Sequence, residues 1–146
     1  MSKIDVIVGT TLGGTEYVAD EIVALLTDAG HQVELHLSPS LADIDKKSLW
    51  LIVSSTHGAG ELPDNLQPFF KDLRLTQPDL TDLTFALCAI GDSNYDTFCQ
   101  GPEALISELS FLGARTFVDK IQIDVQQQTV PEDLAIQWLN RWISTL

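Results

Sequence analysis

The chain has 146 residues, the size of one domain with its own hydrophobic core, and we expect a single domain over residues 1–146. Hydrophobic residues make up 45% of the chain and charged residues 20%, which excludes a disordered or fibrous protein. The 8 lysines and arginines face 21 aspartates and glutamates, and the net charge of −13 repels nucleic-acid phosphates and anionic lipids. We therefore expect no nucleic-acid or membrane partner and favour a basic protein partner.

Two further features concern the cysteines and the cellular compartment. Cys88 and Cys99 do not form a CxxC pair, which argues against a disulfide framework and against a structural zinc site. No apolar run approaches the ~20 residues that span a bilayer, and the N-terminus lacks the apolar core of a signal peptide. We expect a cytoplasmic protein.

Apolar runs typical of buried strands alternate along the chain with amphipathic segments typical of helices. The first apolar run, residues 4–8, ends at Gly9, and helical spacing over residues 18–29 follows and ends at Gly30. Further strands are predicted at residues 33–37, 49–53, 83–90 and 117–123, and further helices at residues 64–76, 105–112 and 131–146. This alternation predicts an α/β fold whose parallel central sheet is covered by helices on both faces.

Three segments rich in glycine and hydroxyl residues follow predicted strands, at the carboxyl ends where open α/β sheets bind ligands. The first, residues 9–16, presents threonines and glycines at the start of a helix, where amides and the helix dipole favour an anion. It lacks the lysine of a Walker A motif, and Lys3 is the only basic residue among the first 45. The segment predicts a monophosphate bound by amides and hydroxyls, and a turn that merely caps the helix is the alternative.

The second segment, residues 54–65, contains His57 in a long stretch of small residues. The imidazole is suited to be a general base, a ligand or a flat surface beside a planar ring, and the alternative is an exposed loop histidine. No second histidine or cysteine stands at metal-ligand spacing, so we expect no metal site. A hydrolase triad of Ser54, His57 and Asp92 lacks the GxSxG motif and rests on composition alone.

The third segment, residues 91–101, contains Tyr95 in a turn-rich stretch, where a planar ligand can stack on the phenol ring. Phe98 is interpreted mainly as the hydrophobic anchor of this segment. Cys99 has no neighbouring cation or base in the sequence that would activate it, which indicates a structural thiol rather than a nucleophile.

Together these three segments resemble the cofactor loops of the flavodoxins, and the similarity extends over essentially the whole chain. The length and the stretch over residues 95–99 look most like the MioC-type flavodoxins. The segments that carry the resemblance are Thr10-Thr11-Leu12-Gly13-Gly14-Thr15 for the phosphate loop, Ser55-Thr56-His57-Gly58 for the first flavin loop, and Gly91-Asp92-Ser93-Asn94-Tyr95-Asp96-Thr97-Phe98-Cys99 for the second.

The resemblance implies a three-layer αβα sandwich around a five-stranded parallel sheet with strand order 2-1-3-4-5. It also implies FMN as the cofactor and low-potential electron transfer as the function, by a carrier rather than a stand-alone catalyst. The implied partners are an NADPH-dependent flavodoxin reductase and biotin synthase. The implied FMN contacts are Thr10, Thr11, Leu12, Gly13, Gly14 and Thr15 at the phosphate, and Ser55, Thr56, His57, Gly58, Asp92, Asn94, Tyr95, Phe98 and Cys99 around the ring.

A cofactor-free regulatory or interaction domain that binds anions on the same fold is the second hypothesis. It is kept open by Gly14, where many flavodoxins have asparagine, and by His57, where many have a larger aromatic residue. A receiver domain is excluded because residues 9–11 provide no acidic cluster after the first strand.

Overall fold

The computed structural model describes residues 3–10, 14–56, 60–92, 99–126 and 130–146. Its strands are β1 (Lys3–Gly9), β2 (Gln32–His36), β3 (Leu49–Ser55), β4 (Thr84–Gly91), β5 (Arg115–Thr116) and β6 (Ile121–Asp124). Every strand pairing among these residues is parallel. The strands follow the order β2-β1-β3-β4-β5, with β6 also paired to β4. The predicted α/β class and strand order are confirmed.

Helices cover both faces of this sheet. In the described part of the chain they are α1 (Gly14–Asp28), α2 (Gln67–Thr76), α3 (Gln100–Phe111) and α4 (Pro131–Asn140), with short 3-10 turns at Asp64–Leu66 and Ile143–Thr145. None of these described helices combines the length and the apolar character that crossing a membrane requires.

Two hydrophobic clusters lie on opposite faces of the sheet because successive strand residues point to opposite sides. Ile4 and Val6 of β1 belong to the cluster formed with helices α1 and α4. Ile7 of β1 and Trp50 of β3 belong to the cluster formed with α2 and α3. The three-layer arrangement therefore follows from apolar strands that are buried on both faces.

Two helices end at glycines with left-handed backbone, as the sequence predicts. Gly30 has a φ of 91°, and the following amide of His31 donates to the carbonyl oxygen of Leu26 at 3.1 Å. Gly113 has a φ of 103°, and the amide of Ala114 then donates to Leu109 at 3.0 Å. Glycine is suited to both positions because it lacks the Cβ that penalises this conformation.

The structure has two short strands in place of the last predicted strand, residues 117–123: β5 lies just before this range, and β6 begins within it at Ile121. Within the described residues the sheet therefore has six strands rather than the predicted five. Trp138 of α4 donates its indole N–H to the carbonyl oxygen of Asp119 at 3.1 Å. That carbonyl group is thus bonded to a helix rather than to a neighbouring strand, which separates the two short strands.

The last helix ends at Asn140 rather than continuing to residue 146. Trp142 leaves the helical conformation with a φ of −133°, yet its side chain stays buried. Its ring packs edge-on against Trp138 at 5.2 Å and Phe117 at 5.7 Å between centroids. The apolar spacing over residues 131–146 therefore predicts burial of Trp142 correctly, although the backbone there is not α-helical.

Candidate functional site at the carboxyl edge of the sheet

The register of the sheet aligns the carboxyl ends of its central strands. Gly9 of β1 pairs with Ser54 of β3, and the next residue, Ser55, pairs with Ile90 of β4. The end of β4 in turn pairs with Asp124 of β6. The segments that follow β1, β3 and β4 therefore leave the sheet at one edge, which we call the carboxyl edge.

Helix α1 begins within the first of these segments. Gly14 is its first residue, and Thr15 is buried in its first turn. The first amides of a helix have no intrahelical acceptor, and the helix dipole adds partial positive charge at the same point. This end of α1 can therefore interact favourably with an anionic group without any basic side chain.

Asn65 connects three parts of the carboxyl edge. Its side-chain oxygen accepts the backbone N–H of Thr10 at 3.1 Å. Its amide nitrogen donates to the carbonyl oxygen of Val8 at 2.6 Å and to that of Leu37 at 2.8 Å. One side chain thus fixes the end of β1, the start of the first segment and the chain just after β2. The sequence contains no local signal for this role because all three partners are distant backbone groups.

The second and third segments are held together by backbone contacts at Gly101. The hydroxyl oxygen of Thr56 accepts the N–H of Gly101 at 3.2 Å. A Cβ on Gly101 would lie 2.4 Å from the carbonyl oxygen of Glu61, so only glycine permits this approach. Ser55 connects the second segment to the first, because its hydroxyl donates to the carbonyl oxygen of Gly9 at 3.4 Å.

Asp92 and Cys99 lie at the two ends of the third segment. A side-chain oxygen of Asp92 accepts a hydrogen bond from the side-chain amide of Gln126 at 2.9 Å. Cys99 is buried immediately before α3 with a left-handed φ of 56°. Burial, followed by the nearby carboxylates of Glu103 and Asp124, raises the pKa of the Cys99 thiol to about 11. A thiol that stays protonated at neutral pH fits a structural role rather than a nucleophilic one.

Of the predicted site residues, the structure brings seven to the carboxyl edge or to the elements that start and end there. These are Thr10, Gly14, Thr15, Ser55, Thr56, Asp92 and Cys99. The other eight lie outside the described residues, namely Thr11, Leu12, Gly13, His57, Gly58, Asn94, Tyr95 and Phe98.

Two members of the alternative hydrolase triad, Ser54 and Asp92, lie among the described residues. The hydroxyl of Ser54 donates to the carbonyl oxygen of the adjacent Ser55 at 2.9 Å. Asp92 accepts from Gln126, as described above. His57, the third member of this hypothesis, lies outside the described residues.

The composition of the three segments sets the electrostatics of the carboxyl edge. Residues 9–16, 54–65 and 91–101 include no lysine or arginine. They include five acidic residues, namely Glu16, Glu61, Asp64, Asp92 and Asp96. An anion at this edge would be held by amides and hydroxyls, whereas a protein docking beside it would meet negative charge.

Comparison with known proteins supports this arrangement. Residues 6–138 match the family model described as Flavodoxin. The chain is 42% identical over 146 residues to the MioC protein of Escherichia coli O157:H7, covering 100% of this chain and 99% of that protein.

Two solved structures show the same fold. A cysteine-to-serine mutant of flavodoxin from Pseudomonas aeruginosa is 32% identical with a TM-score of 0.89, covering 99% of this chain and 98% of that one. Fusobacterium nucleatum flavodoxin bound to flavin mononucleotide is 16% identical with a TM-score of 0.79, covering 100% and 99% of the two chains.

The chain belongs to the flavodoxin family. The resemblance noted in the sequence, including the likeness to MioC, is confirmed. Family membership supports FMN as the cofactor and electron transfer as the activity.

Proposed function

We propose that this protein binds FMN at the carboxyl edge and carries single electrons at low reduction potential. The observation that carries the proposal is the alignment of three flavodoxin-like segments at one end of the parallel sheet. Bound FMN supplies reversible uptake and release of single electrons. We further propose that residues 1–146 act as one domain, and a cytoplasmic location stays a prediction.

The described residues fit the phosphate end of FMN. Helix α1 begins at Gly14, the first amides of a helix have no intrahelical acceptor, and Thr15 adds a buried hydroxyl in the same turn. Asn65 holds the neighbouring Thr10 by its backbone N–H. The proposed phosphate contacts are Thr10, Thr11, Leu12, Gly13, Gly14 and Thr15.

The flavin ring would lie between the second and third segments. Their close approach is supported by the Thr56–Gly101 hydrogen bond and by the contact between Gly101 and Glu61. The proposed ring contacts are Ser55, Thr56, His57, Gly58, Asp92, Asn94, Tyr95, Phe98 and Cys99, with Tyr95 as the stacking residue.

The charge of the chain supports a low reduction potential. Reduction adds negative charge, and the three segments carry five acidic residues and no basic one in a protein of net charge −13. Such a field disfavours further negative charge at the carboxyl edge and lowers the potential at which electrons are accepted.

The same charge distribution favours basic redox partners. Electrostatic steering would bring them to the carboxyl edge, where a small transient interface suffices for electron transfer. From the family resemblance, we propose an NADPH-dependent flavodoxin reductase as the electron donor and biotin synthase as an acceptor.

Titration with FMN tests the proposed cofactor. We expect the protein to quench FMN fluorescence, because Tyr95 is proposed to stack against the flavin. Tyr95→Ala should weaken FMN binding by about 1–3 kcal/mol, the range known for bases stacked on aromatic residues. Phe111→Ala is the matched control, because Phe111 is an exposed aromatic residue at the last position of α3.

Two results would contradict this proposal. Protein that leaves FMN fluorescence unchanged at micromolar concentration would favour the cofactor-free anion-binding domain instead. Equal FMN affinity in Tyr95→Ala and Phe111→Ala would show that the third segment does not supply the stacking residue.

A further inference from the structure

A cluster of ionisable side chains lies in the sheet below the carboxyl edge. Asp5, in the middle of β1, is fully buried. Its Oδ1 atom lies 2.9 Å from Nε2 of His36, and its Oδ2 atom accepts a hydrogen bond from the hydroxyl of Ser48 at 2.5 Å. The Oε2 atom of Glu34 lies 4.0 Å from the same Nε2 atom.

The strand register creates this cluster. Asp5 of β1 is paired with Glu34 of β2, and Ile7 is paired with His36. Residues two apart on a strand point to the same face, so Glu34 and His36 lie on the face that Asp5 occupies. One donor atom from each of the three side chains falls within 4.8 Å of the other two. The arrangement is thus built on paired strands rather than on loops.

The charge of the cluster is unbalanced. A buried carboxylate is costly unless it is paired with a cation. Within the described residues no lysine or arginine forms an ion pair with Asp5, and nearby Lys3 is paired with Asp45 at 3.5 Å. Two carboxylates and an imidazole therefore share one small volume without a permanent positive charge.

We propose that Asp5, Glu34 and His36 bind a divalent transition metal ion of the zinc type. Imidazole nitrogen and carboxylate oxygen are both ligands of Zn²⁺, at about 2.0–2.2 Å. A tetrahedral site then needs donor atoms about 3.3 Å apart. The Asp5–His36 separation is already close to this value, and the Glu34 side chain, 62% exposed, can move the remaining distance. Water completes the fourth position.

Ser48 orients the buried ligand. Its hydroxyl donates to the Asp5 oxygen that does not face His36, which leaves the other oxygen directed at the proposed ion. Outer hydrogen bonds of this kind hold metal ligands in place and typically change affinity 10- to 100-fold when removed. The site is separate from the carboxyl edge, because Asp5 precedes Gly9 by four residues, or roughly 13 Å along the strand.

Competition between the full-length protein and a chromophoric chelator for Zn²⁺ tests this site. We expect one Zn²⁺ per chain, with affinity lowered at least about tenfold in Glu34→Gln, because that variant loses one of three ligands. Glu34 is exposed, so this variant is the principal test, and His36→Gln should lose at least as much affinity. Glu21→Gln and His31→Gln are controls outside the cluster and should bind as the wild type does.

A second measurement follows the imidazole rings by NMR during the same titration. We expect the resonances of His36 to shift with the first equivalent of Zn²⁺ and those of His31 to stay unchanged. The proposal is overturned by the absence of stoichiometric binding. It is also overturned if Glu34→Gln retains wild-type affinity or if His31 shifts in place of His36.

Discussion

Strand β1 carries two polar regions that are built in opposite ways. At its carboxyl end, the side-chain amide of Asn65 forms hydrogen bonds with the backbone of Val8, Thr10 and Leu37. All the groups in these three contacts are uncharged. Four residues earlier, Asp5 contacts an imidazole and a hydroxyl with a buried carboxylate. The carboxyl edge thus suits an anion held by neutral donors, whereas the Asp5 cluster suits a cation.

The two regions also differ in how the chain brings their groups together. The bonds of Asn65 join residues 55, 57 and 28 positions apart, so they depend on where whole segments pack. The contacts of Asp5 join residues 31 and 43 positions apart, and they follow from the pairing of β1 with β2 and from a serine next to β3. The Asp5 cluster is therefore set by strand register, whereas the contacts of Asn65 are set by how segments outside the strands pack at the edge of the sheet.

The largest loss of stability is expected when Asn65→Ala removes the hydrogen bonds at the carboxyl end of β1. Loss of three hydrogen bonds, each contributing about 0.5–1.5 kcal/mol, should lower the free energy of unfolding by about 2–4 kcal/mol. FMN affinity should fall as well, because Thr10 loses its fixed position. Urea unfolding and FMN titration measure the two effects. Asn140→Ala, at an exposed asparagine at the last position of α4, serves as the control, and equal behaviour of the two variants would refute the role assigned to Asn65.

A smaller loss of stability is expected when Ser48→Ala removes the hydrogen bond that the serine hydroxyl donates to Asp5. The substitution removes the hydroxyl donor of a buried carboxylate, and a hydrogen bond to a charged group contributes about 1.5–3 kcal/mol. Urea unfolding should show this loss, with FMN affinity close to that of the wild type. Ser38→Ala, at an exposed serine, is the control. A change in FMN affinity as large as that of Asn65→Ala would show that the two regions are not independent.

The two buried thiols, Cys99 at the carboxyl edge and Cys88 in the middle of β4, predict how stability depends on pH. Burial raises the pKa of Cys88 from its ordinary value of 9.0 to about 12, and the pKa of Cys99 to about 11. Between pH 9 and pH 11 the unfolded chain releases thiol protons that the folded chain retains. The free energy of unfolding should therefore fall as pH rises, by about 1.4 kcal/mol per pH unit for each thiol.

Urea unfolding at several pH values measures this slope. Cys88→Ala and Cys99→Ala should each remove about half of the thiol contribution, whatever their effect on stability at neutral pH. A slope that neither substitution changes would show that other groups cause the loss of stability in alkali.

The first four strands and the ends of the first three helices follow from local sequence, and the structure places each of them within two residues of the prediction. Helices α1 and α3 begin four and five residues earlier than their apolar spacing predicts. The β-branched run before Gly9 predicts β1 to within a residue, and Gly30 and Gly113 mark the ends of α1 and α3. Local sequence does not predict two short strands, β5 and β6, in this part of the chain, because their separation depends on an indole N–H from Trp138, which lies in a later helix. The early end of α4 was missed because Trp142 keeps its apolar position after the helix stops.

The candidate site shows the same limit of local reasoning. Glycine and hydroxyl patterns identify the three segments, because loops after parallel strands meet at one edge. The contacts of Asn65 and Gly101 with distant backbone groups have no pattern in the sequence. The Asp5 cluster did have a signal, since an aspartate interrupts an otherwise apolar strand, but its histidine partner becomes evident only from the register of β1 with β2.

The absence of lysine and arginine from the three segments has a consequence for the effect of ionic strength. A phosphate-bearing cofactor approaches an edge of its own sign, so dissolved ions weaken repulsion rather than attraction. The screening length falls from about 10 Å at 0.1 M salt to about 3 Å at 1 M. FMN should therefore bind more tightly as salt is added, the opposite of the trend for phosphates held by lysine and arginine.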